Sequence, residues 1–230
     1  MLTLSPILQT IGAMIVTYNL GVKPLLGGYR HFIRQPHNLT HRYGSNSWAM
    51  ITGGSDGIGK GYAHQLARQG FNIYLIARKE SKLQDLCNEL EEQYGVKTSY
   101  MCKDFSKAYQ EDFFNDLFED TLKHDVSVLV NNVGMISMKA LPDETSERVR
   151  DVITANTYPQ AMLSQEYIRR MKKRSNKSAI ISLSSFSGGK PISVCPIYSC
   201  TKGYNDYLSR ALNHEFKQEI DISNICNLTL

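Results

Sequence analysis

The sequence predicts an α/β protein: a Rossmann-like, doubly wound parallel sheet in three αβα layers. Three observations predict it. A strand-then-helix rhythm repeats from Trp48 onward, and such alternation argues for a parallel sheet covered on both faces. The glycine-rich stretch Thr52-Gly53-Gly54-Ser55-Asp56-Gly57-Ile58-Gly59 follows directly on the apolar run Ser47-Trp48-Ala49-Met50-Ile51 and opens a helical pattern. A chain of 230 residues, 42% hydrophobic and 21% charged, is long enough for one α/β domain with a full core.

In chain order, the first element is residues 1–22, which carry no charged side chain and hold Leu2, Leu4, Ile7, Leu8, Ile11, Met14, Ile15, Val16, Leu20 and Val22. That length could just span a bilayer. Ser5, Gln9, Thr10, Thr17 and Asn19 dilute it, however, and Ile7, Ile11, Met14, Tyr18 and Val22 share one helical face, which suits an interfacial helix. Either way, residues 1–28 are expected to attach the chain to a membrane; the alternative is a helix packed on a partner protein. No basic residue precedes the apolar run and no arginine precedes position 30, which argues against a signal or transit peptide. Lys23, Arg30, Arg34 and Arg42 follow, with no acid before Asp56, and this bias predicts a cytosolic domain. The reading divides the chain into a membrane-anchoring, basic extension over 1–45 and a nucleotide-binding domain over 46–230.

Within that domain, strands are expected near 48–52, 72–77, 97–102, 126–131, 178–184 and 220–226, and helices near 58–69, 79–94, 107–123, 144–173 and 196–218. Gly70 and Gly95 stand as stop signals after the first two helices. The chain's surplus of 26 Lys and Arg over 22 Asp and Glu lies wholly in the four bases before Asp56. The folded domain is therefore neutral, which does not suggest a nucleic-acid surface. Lys172-Lys173-Arg174, ending the long helix, suits the helix dipole. The five cysteines, Cys87, Cys102, Cys195, Cys200 and Cys226, are odd in number and lack metal-site spacing, so reduced thiols are expected and no metal site.

The glycine loop points to a cofactor. Strand, glycine turn and helix in succession bring backbone N–H groups to a pyrophosphate, which the helix dipole also favours. Thr52, Gly53, Ser55, Asp56, Gly57, Ile58 and Gly59 are the candidate contacts. The second strand, Asn72–Ala77, ends in Arg78-Lys79. An NAD site usually places an acid there for the ribose 2′-OH, whereas a base suits a 2′-phosphate; Arg78 therefore argues for NADP(H).

A second constellation points to chemistry. In Ile197-Tyr198-Ser199-Cys200-Thr201-Lys202, a helix would put Tyr198 and Lys202 on one face, one turn apart. A lysine beside a phenol is expected to lower its pKa and make it a proton donor near neutral pH.

The chain resembles the short-chain dehydrogenase/reductase family over roughly residues 46–228. The resemblance rests on Thr52-Gly53-x-x-x-Gly57-x-Gly59, on Asn131-Asn132-Val133-Gly134 after the apolar strand 126–130, and on Ser185, thirteen residues before Tyr198, with Lys202 completing the set. It implies a catalytic set of Asn156, Ser185, Tyr198 and Lys202. It also implies cofactor contacts at Asp104 (to the adenine), Asn131, Gly134, Tyr198 and Lys202, and a homodimer built through the helices near 144–173 and 196–218. Ser184 and Ser187 are near misses for the serine role. Within the family, Val133 in Leu129-Val-Asn-Asn-Val-Gly-Met135 and the run Asp56-Gly-Ile-Gly-Lys-Gly-Tyr-Ala63 resemble very-long-chain 3-oxoacyl-CoA reductases and the related 17-beta-hydroxysteroid dehydrogenases. That likeness implies an NADPH-dependent reductase of 3-oxoacyl-CoA or steroid ketones in the endoplasmic reticulum membrane; a non-catalytic subunit of a membrane complex is the alternative. The chain departs from the family at Ile225-Cys226-Asn227-Leu228, where Asn227 stands in place of proline. The expectation is a fold truncated after its sixth strand.

Overall fold

The computed structural model describes residues 6–29 and 38–227, and the chain divides into two compact units, Met1–His37 and Asn38–Leu230. In the first unit, helix α1 (Pro6–Thr17) continues through a π-helical turn (Tyr18–Val22) into α2 (Lys23–Gly28). Leu8, Ile11, Met14, Ile15, Val16, Leu20 and Leu25 are all exposed. Among the described residues no helix is long and apolar enough to cross a membrane. Leu2, Leu4, Arg30 and Arg34 lie outside the described residues.

The second unit starts ahead of the expected position 46, and the reason lies at the far end of the chain. Asn38 caps the short helix α3 (Leu39–Tyr43), accepting from His41 N at 3.0 Å. Arg42 and Tyr43 then reach Asp221 at 2.6 and 2.9 Å. These bonds span most of the sequence and join residues 38–45 to the domain.

Six parallel strands follow: β1 (Trp48–Thr52), β2 (Asn72–Ala77), β3 (Thr98–Cys102), β4 (Val126–Asn131), β5 (Ser178–Ser185) and β6 (Ile220–Asn227). Their order is β3-β2-β1-β4-β5-β6. Successive strand residues face opposite sides, and the core divides accordingly. Ala49, Ile51, Ile73 and Leu75 pack on one face with Leu66 of α4 (Gly57–Arg68) and Leu83 and Leu90 of α5 (Glu80–Tyr94). Met50, Tyr74, Ile76 and Leu129 pack on the other with Leu117 of α6 (Asn115–Asp120), Leu163 and Tyr167 of α7 (Ser146–Met171), and Leu212 and Phe216 of α9 (Pro196–Phe216). The short α8 (Phe186–Gly189) follows β5 directly. The doubly wound sheet is thus as expected, with strand boundaries within one residue.

One element differs. In place of a helix over 107–123, a 3₁₀ turn (Phe105–Lys107), turns, α6 and a second 3₁₀ turn (Thr121–Lys123) are found. Lys103 donates to the Phe113 carbonyl at 2.7 Å and pairs with Asp116 at 2.6 Å. Phe113, half-buried, packs its ring 5.0 Å from that of the buried Phe114 and 5.7 Å from Phe105. A lysine outside the segment and three rings seeking the core bend what periodicity alone would leave straight.

Strand order reverses between β1 and β4, where the loops at their carboxyl ends part. Such a switch point is where open α/β sheets form their binding crevice.

Candidate active site

A cleft of about 520 Å³ opens at that switch point, lined by the β1–α4 loop, the ends of β2 and β3, and the loop after β4. Two loops meet on one side chain. Asn132 Nδ2 donates to Thr52 O at 2.8 Å and Gly53 O at 3.0 Å, while the Thr52 hydroxyl accepts from the N–H groups of Asn132 and Val133, each at 3.0 Å. Gly59 makes this closeness possible: a Cβ there would stand 2.6 Å from Asn132 Nδ2. Gly53, with φ 63°, supplies the left-handed turn that few side chains tolerate.

Of the predicted cofactor residues, Gly53, Ser55, Asp56, Gly57, Ile58, Arg78, Asp104 and Gly134 line the cleft. Thr52 and Gly59 stand behind it as the staple and the packing contact. Asp56 caps α4, accepting from Gly57 N at 2.8 Å, and pairs with Lys82 at 2.5 Å. The Lys82 bond and then the Gly57 N–H hold its carboxyl below the usual range. Asp104 caps the 3₁₀ turn by accepting from Ser106 N at 3.1 Å. The side chain of Asn131 is turned away from the cleft: it is buried and donates to Ser164 Oγ at 3.2 Å. The neighbouring Asn132 lines the cleft instead. Strand alternation is the physical reason, since a residue ending β4 with its side chain toward α7 sends its successor to the cleft.

Arg78 is not alone. Lys79, Lys82 and Lys103 line the same end of the cleft. Arg78-Lys79 was visible in the sequence at the end of the second strand; Lys82, one turn into α5, and Lys103, arriving from β3, were not singled out.

None of the four predicted catalytic residues lines the cleft itself, but Gly134, which does, stands beside two of them. A Cβ on Gly134 would lie 3.4 Å from Lys202 Nζ and 3.7 Å from Asn156 Oδ1, so the bare backbone separates the cleft from both by little more than its own width. Asn156, buried in α7, accepts from Met135 N at 2.6 Å and donates to Met135 O and Thr201 Oγ1, both at 2.9 Å. This pins the loop after β4. Ser185 ends β5, buried, with its hydroxyl 3.1 Å from that of Ser187. Ser184 instead donates to Lys202 O at 2.7 Å, so the two adjacent serines face opposite ways, as their strand requires.

Lys202 is 4% exposed and has no carboxylate partner among the described residues. Its Nζ donates to Leu183 O at 2.8 Å, and burial pushes its pKa down to about 8. Gly188 holds this part of α9 in place, since a Cβ there would meet the Lys202 carbonyl carbon at 2.7 Å. The expected lowering of the Tyr198 phenol is not found. Burial pushes that phenol up, and only Ser185 acts the other way. Lys202 Nζ lies 5.7 Å from the Tyr198 ring centroid, aimed at Leu183 O, and a partly deprotonated, desolvated amine is a weak acidifying neighbour.

The residues fit a dinucleotide. A loop without side-chain bulk meets a helix N-terminus, four cations line one end of the cleft, and a buried amine stands beside Gly134.

Comparison with known proteins agrees. Residues 47–228 match the family model described as short chain dehydrogenase. A very-long-chain 3-oxoacyl-CoA reductase of Bos taurus is 36% identical over 177 residues, covering 75% of this chain and 55% of that protein. The chain thus spans little more than half the length of that relative. Among solved structures, a 7beta-hydroxysteroid dehydrogenase superposes with a TM-score of 0.77 at 26% identity, covering 84% of this chain and 75% of the other. A short-chain dehydrogenase from Sphingobium yanoikuyae in complex with NADPH gives 0.73 at 27% identity, covering 78% and 70%.

Proposed function

This chain belongs to the short-chain dehydrogenase family, and from that premise we propose that it reduces a ketone to an alcohol with NADPH, the ketone being a 3-oxoacyl-CoA of fatty acid elongation. The observation that carries the reading is the meeting, at Gly134, of a cation-lined cleft with Asn156 and Lys202. A scaffold has no use for a lysine that is 4% exposed without a carboxylate beside it; such groups concentrate where chemistry is done.

Gly53, Gly57 and the opening of α4 hold the pyrophosphate, and Arg78 with Lys79 and Lys82 takes the 2′-phosphate. The nicotinamide supplies the hydride. Tyr198, kept protonated by its raised pKa, gives its phenolic proton to the ketone oxygen. Ser185 donates to the same oxygen and stabilises the charge that develops there. Lys202 offers a cation to the phenolate left on Tyr198, and at a pKa of about 8 it holds or gives up a proton near neutral pH. Asn156 keeps the Met135 backbone and Thr201 in place around Lys202.

The 3-oxoacyl-CoA assignment is supported by the name of the bovine relative. The reading places the enzyme at a membrane of the endoplasmic reticulum, with the exposed apolar side chains of α1 and α2 as the attachment, and as a homodimer through α7 and α9.

The test is calorimetric binding of NADPH and NADH to the wild type and to Arg78→Ala, followed by NADPH oxidation with 3-oxoacyl-CoA and with steroid ketones. (Trp48, whose ring lies 4.0 Å from His124 at the far end of β1, is not placed to report the cleft.) Expected are NADPH binding roughly tenfold or more weaker in the variant, from one charge-assisted bond lost, NADH binding unchanged, and turnover of 3-oxoacyl-CoA. Turnover of steroid alone overturns the substrate assignment. Binding of neither nucleotide overturns the reductase.

A further inference from the structure

The seam between α7 and α9 is polar where packed helices usually meet on apolar side chains. Asn156, Gln160 and Ser164 recur at four-residue spacing on α7, and Thr201, Asn205 and Ser209 do so on α9. Residues four apart share one helix face, so the helices present two matched stripes, no member of which is more than 4% exposed. The stripes meet in rungs. Asn156 Nδ2 donates to Thr201 Oγ1 at 2.9 Å. One turn on, Gln160 Nε2 donates to Asn205 O at 3.2 Å and to Ser209 Oγ at 3.1 Å, and Ser209 donates to Asn205 O at 2.7 Å.

We propose that Gln160 and Ser209 are a register lock, fixing the axial position of α7 against α9, and that Gln160 is thereby a positioning residue for Asn156. The inference rests on the reading of Asn156 as part of the catalytic set. Apolar helix faces repack at small cost, whereas directional bonds across a buried seam accept one offset; setting register is the best-attested use of buried polar groups between helices. Offset matters here because Asn156 rides on α7 while Tyr198 and Lys202 ride on α9. Helices rise 1.5 Å per residue, so slippage by less than one residue would move Asn156 Oδ1 off Met135 N, 2.6 Å away. A misplacement of about 1 Å costs on the order of a hundredfold in rate. Nor is the rung arranged for stability. Gln160 Oε1 is buried with no donor among the described residues, an unfavourable state that an apolar side chain would avoid. A local sacrifice of stability one turn from a catalytic side chain is the pattern of a functional site.

The experiment compares the wild type, an apolar rung (Gln160→Met with Ser209→Ala) and a swapped rung (Gln160→Ser with Ser209→Gln). The readout is the exchange rate of the Asn156 side-chain amide protons by NMR, assigned by their absence in Asn156→Asp, which needs neither cofactor nor substrate. The apolar rung is expected to be at least as stable as the wild type, yet to exchange the Asn156 amide roughly tenfold faster as its partners loosen; the swapped rung restores protection. In turnover, kcat falls in the apolar rung while KM for both substrates holds, and the swap restores kcat. Wild-type exchange in the apolar rung, or fast exchange persisting in the swapped one, overturns the lock. If the apolar double variant does not fold, Gln160→Met alone carries the comparison. A wild type without reductase activity would overturn the functional reading and leave the exchange comparison to decide the lock.

Discussion

The two edges of the sheet treat their most deeply buried charge in opposite ways. At the amino-terminal edge, charges are paired. Arg42 meets Asp221 at 2.6 Å, Tyr43 adds a bond to the same carboxylate at 2.9 Å, and Arg174 meets Asp125 at 2.6 Å while donating to Tyr43 O at 2.7 Å. Burial would raise the Asp221 carboxyl, but the bonds from Arg42 and Tyr43 overcome it and hold it below its usual range. At the carboxyl edge, Lys202 is more deeply buried than any of these and has only Leu183 O. The first edge uses electrostatics to fasten residues 38–45 to the domain. The second tolerates an unfavourable charge, which is what pKa tuning requires. Substitutions at the two edges should therefore separate activity from stability.

The largest separation is expected at Tyr198. Tyr198→Phe should lower kcat by about 10² to 10⁴, the range for removal of a general acid, while its urea midpoint stays at the wild-type value. Equal loss of both would make Tyr198 a packing residue. Gly59→Ala comes next, because its Cβ would meet Asn132 Nδ2 at 2.6 Å. Overpacking of that kind costs about 1–3 kcal/mol, and cofactor affinity should fall with stability, as calorimetry and urea melts would show.

Lys202→Met should abolish turnover yet raise stability at pH 7. The amine's pKa falls from 10.5 to about 8 on folding. Between those values the unfolded chain binds the extra proton, so this group makes stability rise with pH through that window. Removing it should add about 1–3 kcal/mol near neutrality, after allowing for the lost bond to Leu183 O, and the advantage should fade as pH approaches 10.5. A variant less stable than wild type at pH 7 would break the contrast between the edges.

Asp221→Ala should do the reverse, keeping kcat/KM and losing about 1–2 kcal/mol, discounted because Arg42 and Asp221 are 40% and 27% exposed. The smallest effect is the acid dependence of that residue. A carboxyl with a depressed pKa contributes fully above the ordinary carboxylate range and loses its contribution as pH falls through its own lowered value. The wild-type advantage over Asp221→Ala should therefore shrink only below about pH 4.

Much of this was legible in the chain. Apolar runs such as Val126-Ser127-Val128-Leu129-Val130 can bury both faces only in a parallel sheet, and Gly95, with φ 67°, ends α5 where a stop was expected. Regular spacing likewise announced the glycine loop and the Tyr198–Lys202 pair. What escaped depended on partners far away in sequence. Lys103 decided that 107–114 would not be helical. Asp221 drew residues 38–45 into the domain. The pleat decided that Asn132 and not Asn131 faces the cleft.

The sequence by itself determined the order of elements, the parallel sheet, the glycine loop and the one-turn spacing of Tyr198 and Lys202, because each follows from local periodicity and short-range spacing. Only the tertiary structure decided the protonation of Tyr198 and Lys202 and the rung between Gln160 and Ser209. A pKa depends on how much water is displaced and on which groups displace it, and a rung exists only once two helices distant in sequence have packed at a single offset.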